Sequence, residues 1–256
     1  MPAALVTGGA RGIGYAAASA LLGAGFDVAI ASLESSDEAD AGLRQLRSPD
    51  RKLCYLSANI GDVEIHSSLI DDVCAQLGPI HCLVNNAGVT SIARGDLLDL
   101  SIESFDRCVA TNLRGTFFLT QAVARAMLAA DESGDKSPYR SIVTVTSVNA
   151  EVVGLNRADY CITKAGLSMA SKLFAARLAA SRIHVFELRP GIIRTDMTTP
   201  ARDRYDAYIA DGGVPLERWG EPAEVGTTVA TIARGLLPFA TGEVLHVGGG
   251  VQLHRI

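Results

Sequence analysis

Tyr160 and Lys164 stand four residues apart. On a helix that spacing puts a phenol and an ammonium on one face. A free phenol titrates near pH ~10, so to donate a proton near neutrality its pKa must fall by about three units, which takes roughly 4 kcal/mol in favour of the phenolate. A neighbouring cation in a poorly solvated site can supply that. Ser147 follows a short apolar run that reads as a strand, and open α/β sheets place their sites at strand ends. Its hydroxyl could steady charge developing on a substrate oxygen. Such a set suits carbonyl reduction, in which the protein supplies position and a proton while a nicotinamide carries the hydride.

A second group concerns binding. Thr7-Gly8-Gly9-Ala10-Arg11-Gly12-Ile13-Gly14 follows the first strand and opens the first helix. Glycines permit a tight turn and close approach of a pyrophosphate, and the helix N-terminus offers free N–H groups. The spacing is GxxxGxG and no GK[ST] follows, so a phosphate-loop NTPase is disfavoured. Singly, each residue has a plain structural role: Tyr160 a packed helix tyrosine, Lys164 a solvated charge, Ser147 a cap, Asn112 a hydrogen-bonder inside a helix. The combination argues for chemistry.

Short apolar runs must position these groups. Strands are expected at Ala3–Thr7, Asp27–Ala31, Lys52–Ser57, Cys82–Asn85, Ser141–Thr146, His184–Arg189 and Glu243–Val247. Several lack polar alternation, as parallel strands covered on both faces do. Helices are expected at Ile13–Leu22, Asp37–Arg47, Asp62–Leu77, from Ser101 to about Ala130, at Asp159–Ala180 and from Glu221-Pro222 onward. Asp131–Pro138 reads as a surface loop. The rhythm predicts one domain over residues 1–256: an α/β, Rossmann-type, doubly wound, seven-stranded parallel sheet with helices on both faces. Asp196–Trp219 breaks the rhythm and reads as a substrate loop without a strand of its own.

Composition narrows the function classes. The chain has 256 residues, 48% hydrophobic and 20% charged, with a net charge of −5. That describes a globular domain and a poor nucleic-acid binder. Five scattered cysteines form no CxxC pair and the histidines form no HExxH, so no metal site is expected. No signal-peptide pattern and no membrane-length apolar run is present, so a cytoplasmic location and no membrane partner are expected.

Five segments in order resemble the short-chain dehydrogenase/reductase family over essentially the whole chain. They are the Thr7–Gly14 turn, Asn85-Asn86-Ala87-Gly88, Asn112, Ser147 with Tyr160-Cys161-Ile162-Thr163-Lys164, and Pro190-Gly191-Ile192-Ile193-Arg194-Thr195. Within the family the chain is most similar to 3-oxoacyl-acyl-carrier-protein reductase-like members. The resemblance implies a catalytic set of Asn112, Ser147, Tyr160 and Lys164. Lys164 would also hold the nicotinamide ribose, and Asn112 a water linking Lys164 to solvent. It implies a dinucleotide bound by Gly8, Arg11, Gly12, Ile13, Gly14, Ser32, Asn59, Ile60, Asn86, Ala87, Gly88, Tyr160, Lys164, Pro190, Gly191, Ile193 and Thr195. The substrate would be a carbonyl or secondary alcohol, including a 3-oxoacyl thioester on an acyl carrier.

Cofactor choice turns on the end of the second strand. NAD-specific members usually carry an acid there, but this chain has Ser32, with Arg11 within reach of a 2′-phosphate. NADP(H) is therefore expected over NAD(H), with Glu34 as the counter-argument. Asn149, Val153 and Tyr205 are the expected substrate contacts. Arg94, Arg157, Arg194 and Arg202 would favour an anionic substrate or carrier, although loop arginines are more often plain surface charge. Apolar residues on more than one face of the two long helices, Phe117, Phe118, Met169, Leu173 and Phe174 among them, suggest a partner subunit, and the family usually forms tetramers. Two other readings are an NAD-dependent dehydrogenase of a sugar, polyol or cyclic alcohol, and a non-catalytic dinucleotide-binding sensor. Retention of both Tyr160 and Lys164 argues against the second.

Overall fold

In the computed structural model, which describes residues 1–132 and 139–253, β1 (Ala3–Thr7) lies inside the sheet with every residue buried. It pairs in parallel with β2 (Asp27–Ser32) on one side and β4 (Ile80–Asn85) on the other. With β3 (Leu53–Ser57), β5 (Arg140–Val145), β6 (Ile183–Pro190) and β7 (Val244–Val247), the described residues form one all-parallel sheet of order β3-β2-β1-β4-β5-β6-β7. The order reverses between β1 and β4. There the crossovers leave on opposite faces and open a crevice beyond the strand carboxyl ends.

Alternation along β1 sorts the core. Ala4 and Val6 face α1 (Gly12–Gly23) and α8 (Pro222–Ala233), where Leu21, Val225, Val229 and Ile232 close one layer. Leu5 faces the other way, among Leu69, Val73, Leu119, Val123 and Leu178. These come from α3 (His66–Leu77), α5 (Thr116–Glu132) and α6 (Ala158–Leu178). Helices cover both faces, which explains why the strands carry near-continuous apolar runs.

Several elements depart from the sequence expectation. The helix after Asp37 is α2 (Ser36–Leu43), followed by a 3-10 turn at Arg44–Leu46. The Asp62 segment enters α3 through a 3-10 turn whose first N–H groups Asp62 helps to cap. The stretch after Ser101 is not one α-helix. It runs as α4 (Ile102–Cys108), a π-helical segment Val109–Gly115, then α5. The Asp131–Pro138 loop is half a correction: α5 continues to Glu132, and 133–138 lies outside the described residues. The Asp196–Trp219 insertion contains a helix, α7 (Arg202–Ala210), held by a small apolar cluster of Tyr205, Ile209, Val214 and Trp219. Its aromatic and aliphatic residues had too short a period to stand out in a polar stretch.

Candidate active site

The crevice holds a cavity of about 790 Å³ that runs from the glycine turn to α7. Its near end is built from backbone. Gly8 has φ +63, and a Cβ there would come within 2.9 Å of Ala87 Cα. A Cβ on Gly14 would lie 2.2 Å from the Gly8 carbonyl oxygen, so Gly14 shapes the turn from beneath and does not line the cavity. The N-terminus of α1 has no side-chain cap and no acid in its first turn. Its free N–H groups therefore fit an anionic phosphate.

The end of β4 is tied to this turn. Thr7 Oγ1 accepts from the Asn86 and Ala87 N–H groups at 3.0 Å each. Asn86 Nδ2 donates to the carbonyls of Thr7 and Gly8 at 3.0 Å each. Asn85 instead points inward to Thr120 Oγ1 at 2.8 Å. Asn86, Ala87 and Gly88 line the cavity, as do Gly8, Arg11, Gly12, Ile13, Ser32, Asn59 and Ile60. Pro190, Gly191, Ile193 and Thr195 line it from β6 and the segment after it. These walls fit an extended dinucleotide.

At the adenosine end Glu34, the counter-argument to NADP(H), turns into the cavity. Ser32 Oγ donates to Glu34 Oε2 at 2.5 Å. Arg11 Nη2 lies 3.3 Å from Glu34 Oε1, and Glu34 lines the cavity. The Ser32 bond, helped by Arg11, holds the Glu34 carboxyl below its ordinary pKa, against the opposing effect of partial burial. The acid absent from the end of β2 is thus supplied from two residues further on. Sequence reasoning weighed Glu34 but could not see which way it turned.

The far end gathers the catalytic candidates. Ser147, just past β5, accepts from Asn149 N–H at 3.1 Å, and its hydroxyl is close enough to the Tyr160 phenol to favour the phenolate. Lys164 Nζ lies 5.5 Å from the Tyr160 ring centroid and donates to the Val145 carbonyl at 2.9 Å. Burial pushes Lys164 down to about 8, and the nearby Glu187 charge opposes that shift. Burial also pushes the Tyr160 phenol above its ordinary value, opposed by the Ser147 bond and then by the Arg157 charge. The expectation that Lys164 lowers the phenol is therefore not met in the free protein: its ammonium turns to a carbonyl, and Arg157 is the foremost opposing cation.

Asn112 sits in the π segment, fully buried. Its Oδ1 accepts from Val89 N–H at 2.7 Å, while Nδ2 donates to Val89 O at 2.9 Å and Thr163 Oγ1 at 3.1 Å. Its side chain is thus engaged with protein, holding the segment after β4 against α6. A π turn at a site is a recurring device for re-aiming one side chain.

Of the substrate candidates, Asn149 and Tyr205 line the cavity. Val153 does not: it is 77% exposed, on the outer side of the loop before α6. Arg94 and Arg157 line the cavity. Arg194 does not, and pairs instead with Glu221 at 3.0 Å. Arg202 is exposed at the start of α7. Gly248–Gly250 packs on Gly191, Val214 and Pro215 of its own chain.

Sequence reasoning missed a buried pair on β6. Glu187 Oε1 accepts from Thr146 Oγ1 and Arg189 Nε at 2.7 Å each, and Oε2 accepts from Ser168 Oγ at 2.7 Å. The available signal was two charges inside an otherwise apolar strand, which must pair when buried. Among the described residues no group of three His, Cys, Asp or Glu side chains is placed to hold a metal, and no helix is long and apolar enough to cross a membrane.

Comparisons agree with this architecture. Residues 8–252 match the family model described as enoyl-(acyl carrier protein) reductase. The chain is 32% identical over 250 residues to the 3-oxoacyl-acyl-carrier-protein reductase FabG of Staphylococcus epidermidis, covering 98% of each chain. A crystal structure of a 3-oxoacyl-acyl-carrier-protein reductase from Brucella melitensis in complex with NAD is 47% identical, with a TM-score of 0.94, covering 100% of this chain and 98% of that one. A putative 2-deoxy-D-gluconate 3-dehydrogenase from Agrobacterium tumefaciens with bound NADP is 28% identical, with a TM-score of 0.84, covering 98% and 96%. With its glycine turn, its Ser147–Tyr160 contact and these full-length matches, the chain belongs to the short-chain dehydrogenase/reductase family of NAD(P)-dependent oxidoreductases.

Proposed function

We propose that the chain transfers hydride between NAD(H) and a carbonyl or secondary-alcohol carbon held at Ser147 and Tyr160. The observation that carries this is the convergence of Ser147, Tyr160 and buried Lys164 on one dinucleotide-sized cavity. A dinucleotide held along the glycine turn would supply or accept the hydride. In reduction Tyr160 gives its proton to the substrate oxygen, and Ser147 donates a second hydrogen bond to that oxygen as charge develops. Lys164 holds the ribose next to the nicotinamide and adds positive charge close to the phenol. Asn112 acts through Val89, keeping the wall of the site in place.

NAD(H) is favoured over the initially expected NADP(H) because a 2′-phosphate would meet the Glu34 carboxylate. The Arg11 pair is solvent-exposed and weak, so Arg11 alone does not reverse this. Titration of tryptophan-sensitised NADH and NADPH fluorescence tests the choice. Glu34→Gln should move the preference toward NADPH by about tenfold, equivalent to roughly 1.4 kcal/mol. Tighter NADPH binding by the unmodified protein would reject it.

The names of the relatives make 3-oxoacyl thioesters the first substrates to assay, followed by sugar, polyol and cyclic alcohols. A homotetramer in the cytoplasm is the accompanying expectation. It is supported by the exposed apolar residues Phe118 on α5 and Ile162, Met169 and Leu173 along one face of α6.

A further inference from the structure

The catalytic end of the cavity carries more positive charge than hydride transfer requires. Arg94 comes from the segment after β4 and Arg157 from the residue before α6, and both line the cavity. Arg94 Nη1 and Arg157 Nε are buried with no hydrogen-bond partner. Among the described residues no carboxylate stands within ion-pair range of Arg94 or Arg157. Both converge on one phenol: Arg157 Nη2 donates to Tyr205 Oη at 3.0 Å, and the Arg157 and Arg94 charges lower the Tyr205 pKa against burial. Tyr205 is itself buried, at the base of the α7 segment. Both guanidiniums are partly buried, and a buried N–H group without a partner is costly. A ligand anion would repay that cost and satisfy the open N–H groups, and guanidinium forks match a carboxylate in shape.

The distance to the reacting centre limits the ligand. Arg157 Cζ lies 5.7 Å from the Tyr160 ring centroid. An anion on these arginines would therefore sit only a few bonds from a carbon whose oxygen meets Tyr160. A carrier-borne thioester is uncharged at that place and leaves both cations unpaired.

We infer that the physiological substrate is a short oxo or hydroxy acid, whose free carboxylate is held by Arg94 and Arg157 beneath Tyr205. This deepens the oxidoreductase reading and rests on it. The carboxylate is a handle and takes no part in the chemistry. In reduction the substrate carbonyl gains hydride from the dihydronicotinamide and a proton from Tyr160, leaving a hydroxy acid and NAD⁺. Tyr205 closes over the carboxylate from α7, so the substrate's own charge organises the segment that covers it.

The test pairs acids with neutral isosteres. Short 2-oxo and 3-oxo acids are compared with their methyl esters and N-acetylcysteamine thioesters, reading NADH consumption. The acids should exceed the esters in kcat/KM by at least about a hundredfold, because a site built for a polar group rejects the analogue that lacks it. In Arg94→Met and in Arg157→Met the acid-over-ester ratio should collapse by about tenfold or more, mainly through KM. Arg94→Lys should restore part of it. NADH binding and the thermal midpoint of each variant show that it is folded. A binding arm is independent of turnover: short hydroxy acids should raise the thermal midpoint of the protein with NAD⁺ present, and their amides should not. Equal or better use of esters or thioesters by the unmodified protein overturns the acid assignment while leaving the oxidoreductase standing. Acid binding without turnover of any substrate keeps the anion site and overturns the catalytic reading.

Discussion

Proton chemistry at Tyr160 is held between opposing forces. Burial raises its pKa, while the Ser147 bond and the Arg157 charge lower it. Tyr160→Phe removes the transferable proton without changing the packed shape. We expect turnover to fall by about 10³-fold or more, with NADH affinity within about threefold of the parent, as measured by steady-state kinetics and fluorescence titration. Lys164 adds a pH dependence. Its pKa is down to about 8, so its charge is lost as pH rises through that value. The kcat/KM profile, which reports the free enzyme, should fall on an alkaline limb near there. Glu187 opposes the burial effect on Lys164, so Glu187→Gln should move that limb to lower pH. A merely structural Glu187 would leave the limb in place. Stability runs the other way. Between about 8 and the ordinary lysine value of 10.5 the unfolded chain holds the Lys164 proton and the folded chain does not. This group's contribution to stability therefore rises with pH across that window. The rise should be missing from urea titrations of Lys164→Met.

At the scale of elements, positions that look interchangeable in sequence are fixed by close approach. A Cβ on Gly226 would come within 2.5 Å of the Ala16 carbonyl oxygen, across the α1–α8 contact. Gly226→Ala should separate those helices at a cost of about 1–3 kcal/mol. Each such kcal/mol lowers the melting temperature of a chain this size by about 2–4 °C, a shift that scanning fluorimetry can read. The π segment offers a second check. Asn112→Ala would leave both Val89 backbone groups without their side-chain partner, at a cost of about 1–3 kcal/mol for each group that stays buried and unpaired. Hydrogen exchange at Val89 should speed up more than exchange at β1. Equal acceleration at both would mean a general loss of stability and no local tether.

For the molecule as a whole, some of the exposed apolar residues are aligned. Ile162, Met169 and Leu173 repeat at helical spacing along α6, and Phe118 is exposed on α5. Such a stripe reads as an interface. We expect elution at a multiple of 26.9 kDa, and dissociation of the Met169→Glu/Leu173→Glu double variant toward the monomer. Elution of the parent as a monomer would remove the assembly reading without touching the fold or the site. Charge is also distributed along the cleft, with Glu34 and Glu38 at the adenosine end and Arg94 and Arg157 beside Tyr205 at the other.

The sheet, the crevice and the Ser147, Tyr160 and Lys164 set could be read before any coordinates, because strand-and-helix periodicity and motif spacing are local properties of the chain. Helix ends at Gly23 and Gly78 and the glycine turn after Thr7 belong to the same category, since turn and cap chemistry acts over a few residues. What depended on tertiary structure were contacts between residues far apart in sequence. Arg94, Arg157 and Tyr205 meet although 48 residues or more separate Tyr205 from either arginine. Glu187 lies behind Lys164 because β6 runs beneath α6. Glu34 is close to Ser32 in sequence and bonds it, yet its place on the cavity wall beside Arg11 depends on how the glycine turn packs against the end of β2. Lys164 turns to Val145 because burial makes an unpaired ammonium costly, and only packing decides what is buried.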